Sequence, residues 1–280
     1  MPELPEVETV RRGLAEHIVG KKFKKIDVLH PRATSPKSIA ALTSLTGARV
    51  KAVARRGKFL WFELDRPEVL VGHLGMSGQF VIQPKNAIDE RHLRVRFTLG
   101  RHELRFIDQR TFGWLGVCEA KDGIPNWVEH IAADPFDPNF DLAKTISRFQ
   151  SKRTEIKRAL LDQGVMSGVG NIYADEALWR SKMHPETRTE KLVTKRVAEL
   201  ITNATEVMSE ALAVGGTSFD ELYINVNGES GYFERSLAVY GQEGEGCPRC
   251  GRQIRRITFA NRSSHFCPKC QPTPRSNGNR

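Results

Sequence analysis

The chain has 280 residues, enough for two domains that each bury a core. Forty-three Lys and Arg against 33 Asp and Glu give a formal charge of +10, which favours a polyanionic partner, nucleic acid ahead of an anionic membrane surface. No apolar run approaches the roughly 20 residues of a membrane-spanning helix, and the opening Met1-Pro2-Glu3-Leu4-Pro5-Glu6 lacks the basic and apolar regions of a secretory signal, so the expected location is the cytoplasm.

Val7, Val10, Leu14 and Ile18 recur at helical spacing and stop at Gly20, which predicts an amphipathic helix starting almost at the first residue. From Phe23 to Ala120 the pattern changes to short β-like runs. The clearest has Leu93, Val95, Phe97 and Leu99 alternating with Arg94, Arg96 and Thr98, and Glu103 to Ile107 follows after Gly100. This half reads as an antiparallel sandwich or barrel, interrupted by a short helix around Ser38 to Leu45. The turn-rich Asp134-Pro135-Phe136-Asp137-Pro138-Asn139 is the expected linker. Helical patterns follow: Lys152 to Leu161, a second helix through Tyr173, Ala174, Ala177 and Leu178, and a long third from about Thr194 to Ala213, ended by Gly215-Gly216. The division read from these patterns is 1–133, a linker at 134–140, 141–240, a cysteine-bearing 241–270, and a Pro-, Ser-, Asn- and Gly-rich tail at 271–280 expected to be disordered.

Cys247-Pro248-Arg249-Cys250 and Cys267-Pro268-Lys269-Cys270 are two C-x2-C knuckles separated by 16 residues. Four thiolates so spaced suit a closed tetrahedral zinc shell, a structural site without an open position for water. Two disulfides are the alternative and would need an oxidising compartment. Cys118, in Trp114-Leu115-Gly116-Val117-Cys118, reads as a buried core thiol. Arg249, Arg252, Arg255, Arg256, Arg262 and Lys269 make the ribbon basic, which suits phosphate contact.

Met1 precedes a small residue, a context in which the initiator is removed to expose the secondary amine of Pro2. A free α-amino group titrates near 7.7 to 8.0 and is partly unprotonated at neutral pH, so it can attack a sugar C1′ carbon and form a cationic imine. Glu3 and Glu6 put carboxyls nearby for acid work on the ring oxygen; against this, Glu is common at helix N-termini for electrostatic reasons alone. Lys58, the Gly72-His73-Leu74-Gly75-Met76-Ser77-Gly78 turn and Asp108-Gln109-Arg110-Thr111-Phe112-Gly113 stand out next. If the last is extended, Arg110 and Phe112 share a side and could probe a duplex; equally, Phe112 could lie in the core with Arg110 on the surface. Gly168-Val169-Gly170-Asn171 before a helix is either a phosphate clamp with Asn171 at the N-cap or an ordinary turn.

Together these landmarks resemble the formamidopyrimidine-DNA glycosylase family from Pro2 to Cys270: Pro2-Glu3-Leu4-Pro5-Glu6-Val7-Glu8-Thr9, Lys58, His73 to Gly78, Asp108 to Gly113, Gly168 to Ala174 and the ribbon. Leu4 favours this branch over the endonuclease VIII branch. The resemblance implies an α+β fold of two domains: an N-terminal β-sandwich with a catalytic N-terminal helix, then a helix-two-turns-helix domain with a zinc ribbon. Double-stranded damaged DNA would bind in a cleft, the protein acting as a monomer. It implies Pro2 as Schiff-base nucleophile, Glu3 as the acid for ring opening, Lys58 in β-elimination and phosphate binding, and Arg262 in δ-elimination or, better suited to a guanidinium, phosphate clamping. His73, His92, Arg110, Lys152, Lys157 and Asn171 match DNA contacts, and Met76, Arg110 and Phe112 the trio that fills the space of a flipped base. The stretch from Tyr223 to Tyr232 matches a loop over the damaged base. Gln109, Thr111 and Glu155 depart from the family pattern. The implied activity is excision of oxidised purines with strand nicking by β,δ-elimination; the alternatives are an oxidised-pyrimidine glycosylase and a non-catalytic damage-binding protein.

Overall fold

The computed structural model describes residues 2–34, 39–216 and 236–274. Its contacts divide the chain into two units, Met1–His130 with Leu212–Phe233, and Ile131–Ala211 with Glu234–Arg280. The division falls between His130 and Ile131, just ahead of the turn-rich segment. That segment is part of the second unit, where Asp134 is buried and the Ala132 amide donates to the Gln163 carbonyl at 2.9 Å. The Tyr223 to Tyr232 stretch lies outside the described residues.

The first unit opens with α1 (Leu4–Ile18). Two antiparallel sheets follow. One has the order β1-β6-β7-β5, from Lys25–Val28, Leu93–Thr98, His102–Asp108 and Gly78–Pro84; the other has β2-β3-β4-β8-β9, from Val50–Arg56, Phe59–Leu64, Glu68–His73, Trp114–Lys121 and Ile124–Pro125. Strand β6 behaves as its alternation demands: Leu93, Val95 and Phe97 are buried and Arg94, Arg96 and Thr98 are half-buried. The core joins both sheets to the helix, with Val7, Val10, Leu14 and Ile18 of α1 in one cluster with Phe23, Phe62, Phe80, Phe97 and Phe106. The short expected helix is α2 (Ile39–Thr43).

In the second unit, α3 (Leu142–Ser151), α4 (Ile156–Leu161), α5 (Asn171–Arg180) and α6 (Thr194–Ala213) precede the hairpin β10 (Arg255–Phe259) and β11 (Arg262–Phe266). Helix α6 matches its sequence pattern, with Val197, Leu200, Ile201, Ala204, Val207, Met208 and Ala211 buried. The helix expected from Lys152 is not continuous. Lys152 caps the end of α3, and residues 152–155 are drawn out of helical geometry by pairing with a distant segment. Thr189 donates its amide to the Thr154 carbonyl at 2.9 Å, its hydroxyl accepts the Thr154 amide at 3.2 Å, and Ile156 donates to the Thr187 carbonyl at 2.7 Å. The first residue of the expected disordered tail is instead packed. Gln271 is fully buried, accepting the Cys267 amide at 2.9 Å and donating to the Met183 carbonyl at 2.8 Å. No helix among the described residues is long and apolar enough to cross a membrane.

Candidate functional site

Functional side chains gather in each unit separately. In the first, Glu3 is the N-cap of α1 and Pro5 stands in the first turn, where a missing amide costs nothing. The Glu6 carboxylate accepts the Glu3 amide at 2.8 Å, one half of a capping box. Pro2, Glu3 and Glu6 are all buried. Glu6 is therefore a brace for the chain start. Gly216, at φ +88°, lies so close that a Cβ there would sit 2.9 Å from Glu6 Oε1, which only glycine avoids.

Lys58, buried behind the positive-φ Gly57, follows β2. Its charge reaches His73, at the end of β4: burial first, then the Lys58 ammonium, pushes the imidazole down to about 4. His73 stacks on Trp114 and packs against Phe59, and its Nδ1 accepts the Gly75 amide at 3.0 Å. It is thus a neutral ring at pH 7 whose Nε2–H remains the donor.

Beyond His73, two turns cross so closely that a Cβ on Gly75 would meet Gly113 N and Phe112 C at 2.4 Å, and one on Gly78 would meet Leu74 O at 2.5 Å. The fully buried Asp108 locks the crossing: Oδ1 accepts the Ser77 hydroxyl at 2.5 Å and the Arg110 amide at 3.2 Å, and Oδ2 the Gly113 amide at 2.7 Å. Residues 109–111 form a bend, with Thr111 at φ +54°, so the segment is not the extended one that sequence suggested. The bend still presents the expected trio. Phe112 is 60% and Met76 37% exposed, and Arg110 Nη1 lies 3.8 Å from Met76 Sδ. The core placement of Phe112 is thereby excluded. His92 joins the same framework, because its carbonyl accepts the Asp108 amide at 3.0 Å and Arg94 donates to the Asp108 carbonyl at 2.7 Å. Asp108 opens a segment that stands out in sequence, but its bracing role, like that of Arg94, has no sequence signal and was missed. So it is with Arg105, which is almost wholly buried and bonds the carbonyls of Ala87 and Ile88 in the segment leading to His92.

In the second unit, α5 begins at Asn171 with Gly170 as N-cap, one residue earlier than expected. Asn171 Nδ2 donates to the Ser263 carbonyl at 3.0 Å, the residue after the exposed Arg262 on the β10–β11 hairpin. Lys152 is half-exposed and pairs with Asp162 at 2.7 Å. Lys157 differs from its expected place on the surface: it has no exposed area. Its ammonium bonds Asp175 at 2.7 Å and the Ser263 carbonyl at 3.0 Å. Asp175, equally buried, also accepts the Ser264 hydroxyl and the His265 amide, both at 2.8 Å. The pair holds the hairpin that carries Arg262.

The four knuckle cysteines have sulfurs within 4.8 Å of one another, at 3.5 Å for Cys250–Cys267 and Cys250–Cys270 and 4.0 Å for Cys247–Cys270. Such spacings far exceed a disulfide bond and bracket the roughly 3.8 Å between thiolates placed 2.3 Å from a tetrahedral zinc. The Trp179 indole donates to Cys247 Sγ at 3.4 Å, with Arg249 stacked on that ring at 4.1 Å. Burial pushes the Cys247 thiol up, but this bond and neighbouring donors bring it down to about 6. The donor set fits one structural zinc. Cys118 is a buried free thiol, raised by burial.

A buried Pro2-Glu3 start on a sandwich, joined in one chain to a two-helix turn and a four-cysteine hairpin, defines a DNA-processing protein of the helix-two-turns-helix class. Family models match in the same order: "Formamidopyrimidine-DNA glycosylase N-terminal domain" at residues 1–115, "Formamidopyrimidine-DNA glycosylase H2TH domain" at 131–222 and "Zinc finger found in FPG and IleRS" at 244–273. The formamidopyrimidine-DNA glycosylase of a Nocardioides species is 56% identical, covering 98% of this chain and 96% of its own, and that of Rhodococcus jostii is 57% identical, covering 98% and 97%. A Lactococcus lactis Fpg structure with abasic-site DNA superposes with a TM-score of 0.89 at 35% identity, covering 97% of this chain and all of that one; an Fpg variant from the same organism with Fapy-dG DNA gives 0.90 at the same identity and coverage. The chain belongs to the formamidopyrimidine-DNA glycosylase family.

Proposed function

We propose that this protein is a bifunctional DNA glycosylase and abasic-site lyase that removes oxidised purines from duplex DNA during base excision repair in the bacterial cytoplasm. The observation that carries this is the first unit's N-terminus: a potential secondary amine at Pro2 and a buried carboxyl at Glu3, fixed by the Glu6 capping bond. With Met1 removed, the Pro2 nitrogen attacks C1′ of the damaged nucleotide. The C1′–base bond breaks, the base leaves with a proton, and Glu3 protonates the ring oxygen as the sugar opens, leaving an iminium. Loss of a C2′ proton expels the 3′ phosphate; Lys58 assists this β-elimination, and a further elimination releases the 5′ phosphate. Water then hydrolyses the imine and restores the amine. Met76, Arg110 and Phe112 fill the space of the extruded nucleotide, Phe112 as an apolar wedge. His73 and His92 serve as neutral-ring and backbone-side contacts to DNA. Lys152, Asn171 and Arg262 bind phosphate, Lys157 acts by holding the Arg262 hairpin, and Cys247, Cys250, Cys267 and Cys270 hold a zinc ion that supplies folding energy to the ribbon. The proposed active form is the monomer.

Borohydride reduction in the presence of an 8-oxoguanine duplex is expected to leave protein covalently joined to DNA. Absence of that adduct with folded, zinc-loaded protein overturns the reading. Wild-type Lactococcus lactis Fpg has been solved with oxidised-pyrimidine DNA, which favours a second activity on such lesions; a parallel thymine glycol duplex measures it.

A further inference from the structure

At the C-terminal end of α1 the first unit has a cavity of about 560 Å³ that the proposed chemistry does not use. Two internal rulers place it far from the reacting end. Helix α1 has 15 residues, so the cavity lies about 20 Å along its axis from Glu3 at 1.5 Å per residue. Along β5, Gly78 pairs with Asp108 at the Met76–Arg110–Phe112 end and Pro84 pairs with His102 at the cavity end, again about 20 Å at ~3.3 Å per residue.

Its lining has two parts. Val19, Ile82 and Leu99 form an apolar floor; Val19 is the C-cap of α1 and remains 42% exposed. Lys21, Arg101, His17 and His102 stand around this floor with a single acid, Glu16. The Lys24 ammonium lies close by, outside the lining itself: a Cβ on Gly100, between the lining residues Leu99 and Arg101, would be 3.8 Å from it. Among the described residues, none of Lys21, Lys24 and Arg101 has an ion-pair partner, although ion pairs occupy Lys25, Arg11 and Arg55 of the same unit. The helix end does not consume these cations either: the Lys21 amide satisfies the Ile18 carbonyl at 3.0 Å, and His17 Nδ1 donates to the Gly13 carbonyl at 2.8 Å.

We propose that this cavity docks an acidic peptide segment of a partner protein, with an apolar side chain on the floor and flanking carboxylates on Lys21, Lys24 and Arg101. Charge complementarity selects the acidic partner, and the floor selects a peptide over nucleic acid. Phosphates are met by cations, hydroxyls and amides, which would leave three apolar side chains facing a charged backbone. A carboxylate-flanked Leu or Phe meets both parts of the lining.

The test is fluorescence anisotropy of full-length, zinc-loaded protein with a fluorescein-labelled probe peptide, Asp-Glu-Leu-Asp-Phe-Glu, beside a control in which Leu and Phe are Ser. Saturable binding of the probe is expected, weakened about tenfold or more by the Ser control. The K21E/R101E double variant should weaken it by about tenfold as well. Excision from an 8-oxoguanine duplex should be unchanged in that variant, which also verifies its fold. V19D is a second, milder probe of the floor at an exposed position. The proposal is overturned by equal binding of the Ser control, by indifference to the charge reversal, or by no saturable binding up to about 1 mM. It is overturned in favour of a DNA contact if a lesion-free duplex displaces the peptide and K21E/R101E loses affinity for that duplex.

Discussion

Asp108 and Asp175 are both fully buried carboxyls that organise functional segments, yet they are satisfied differently. Asp108 accepts only neutral donors, a hydroxyl and two amides from residues within one pair of crossing turns. Asp175 takes the Lys157 ammonium as well as a hydroxyl and an amide, and Lys157 in turn reaches a carbonyl 106 positions from itself in sequence. The turn at Asp108 rests on a large apolar core, with Phe80 and Phe106 beneath it, and needs only local bonds to fix its shape. The hairpin at Asp175 belongs to a ribbon whose own cluster is Val239, Cys247, Ile254 and Cys267. A core that small cannot hold a hairpin by hydrophobic burial, so metal and an internal ion pair replace it.

Removal of the metal should separate the two regions most strongly. Structural zinc contributes about 10–16 kcal/mol in small ribbons, so a chelator or Cys250→Ser is expected to unfold the ribbon and abolish duplex binding while the sandwich keeps its cooperative melting transition, followed by calorimetry. Next in size, Glu3→Gln should lower base excision by about 10²–10⁴-fold with little change in duplex affinity; an equal loss of both would show that Glu3 only braces the helix start. Asp175→Asn leaves the Lys157 charge buried and should cost about 3–5 kcal/mol in urea unfolding, much of it recovered by the Asp175→Leu/Lys157→Met pair. No such cost in the single variant breaks the contrast with Asp108.

Phe112→Ala should leave stability within about 0.5 kcal/mol, as its side chain is largely exposed, but reduce excision about tenfold or more through lost base stacking. A further effect concerns pH. His73 is held at about 4 against 6.5 for the free ring. Above 6.5 both folded and unfolded forms are neutral. Between 6.5 and 4 only the unfolded chain takes the proton, so stability falls as pH falls through that window. His73→Gln should flatten that part of the curve, measured as Tm against pH; an unchanged slope would place the titration elsewhere.

The parts legible beforehand share one property: their signal is local. Val7 to Ile18 and Val197 to Ala211 repeat every turn, Leu93 to Thr98 alternates, and the cysteines carry their ligand spacing in their own knuckles. The break at residues 152–155 had no local sign, because its cause is Thr187 and Thr189. Lys157 resembled a DNA contact by position alone, and only Asp175 and Ser263 show that its charge is already taken.

Sequence by itself determined the two-part organisation and the metal ligands, and it suggested the amine–carboxyl start, since each is written in residue type and spacing within a few turns of chain. The tertiary structure decided which polar groups are free to act. It exposed Phe112 and Met76, buried Lys157 and, among the described residues, left Lys21 and Arg101 without an ion pair. Those outcomes depend on partners tens of residues away, and the cost of burying an unpaired charge or amide settles them only once the chain has closed.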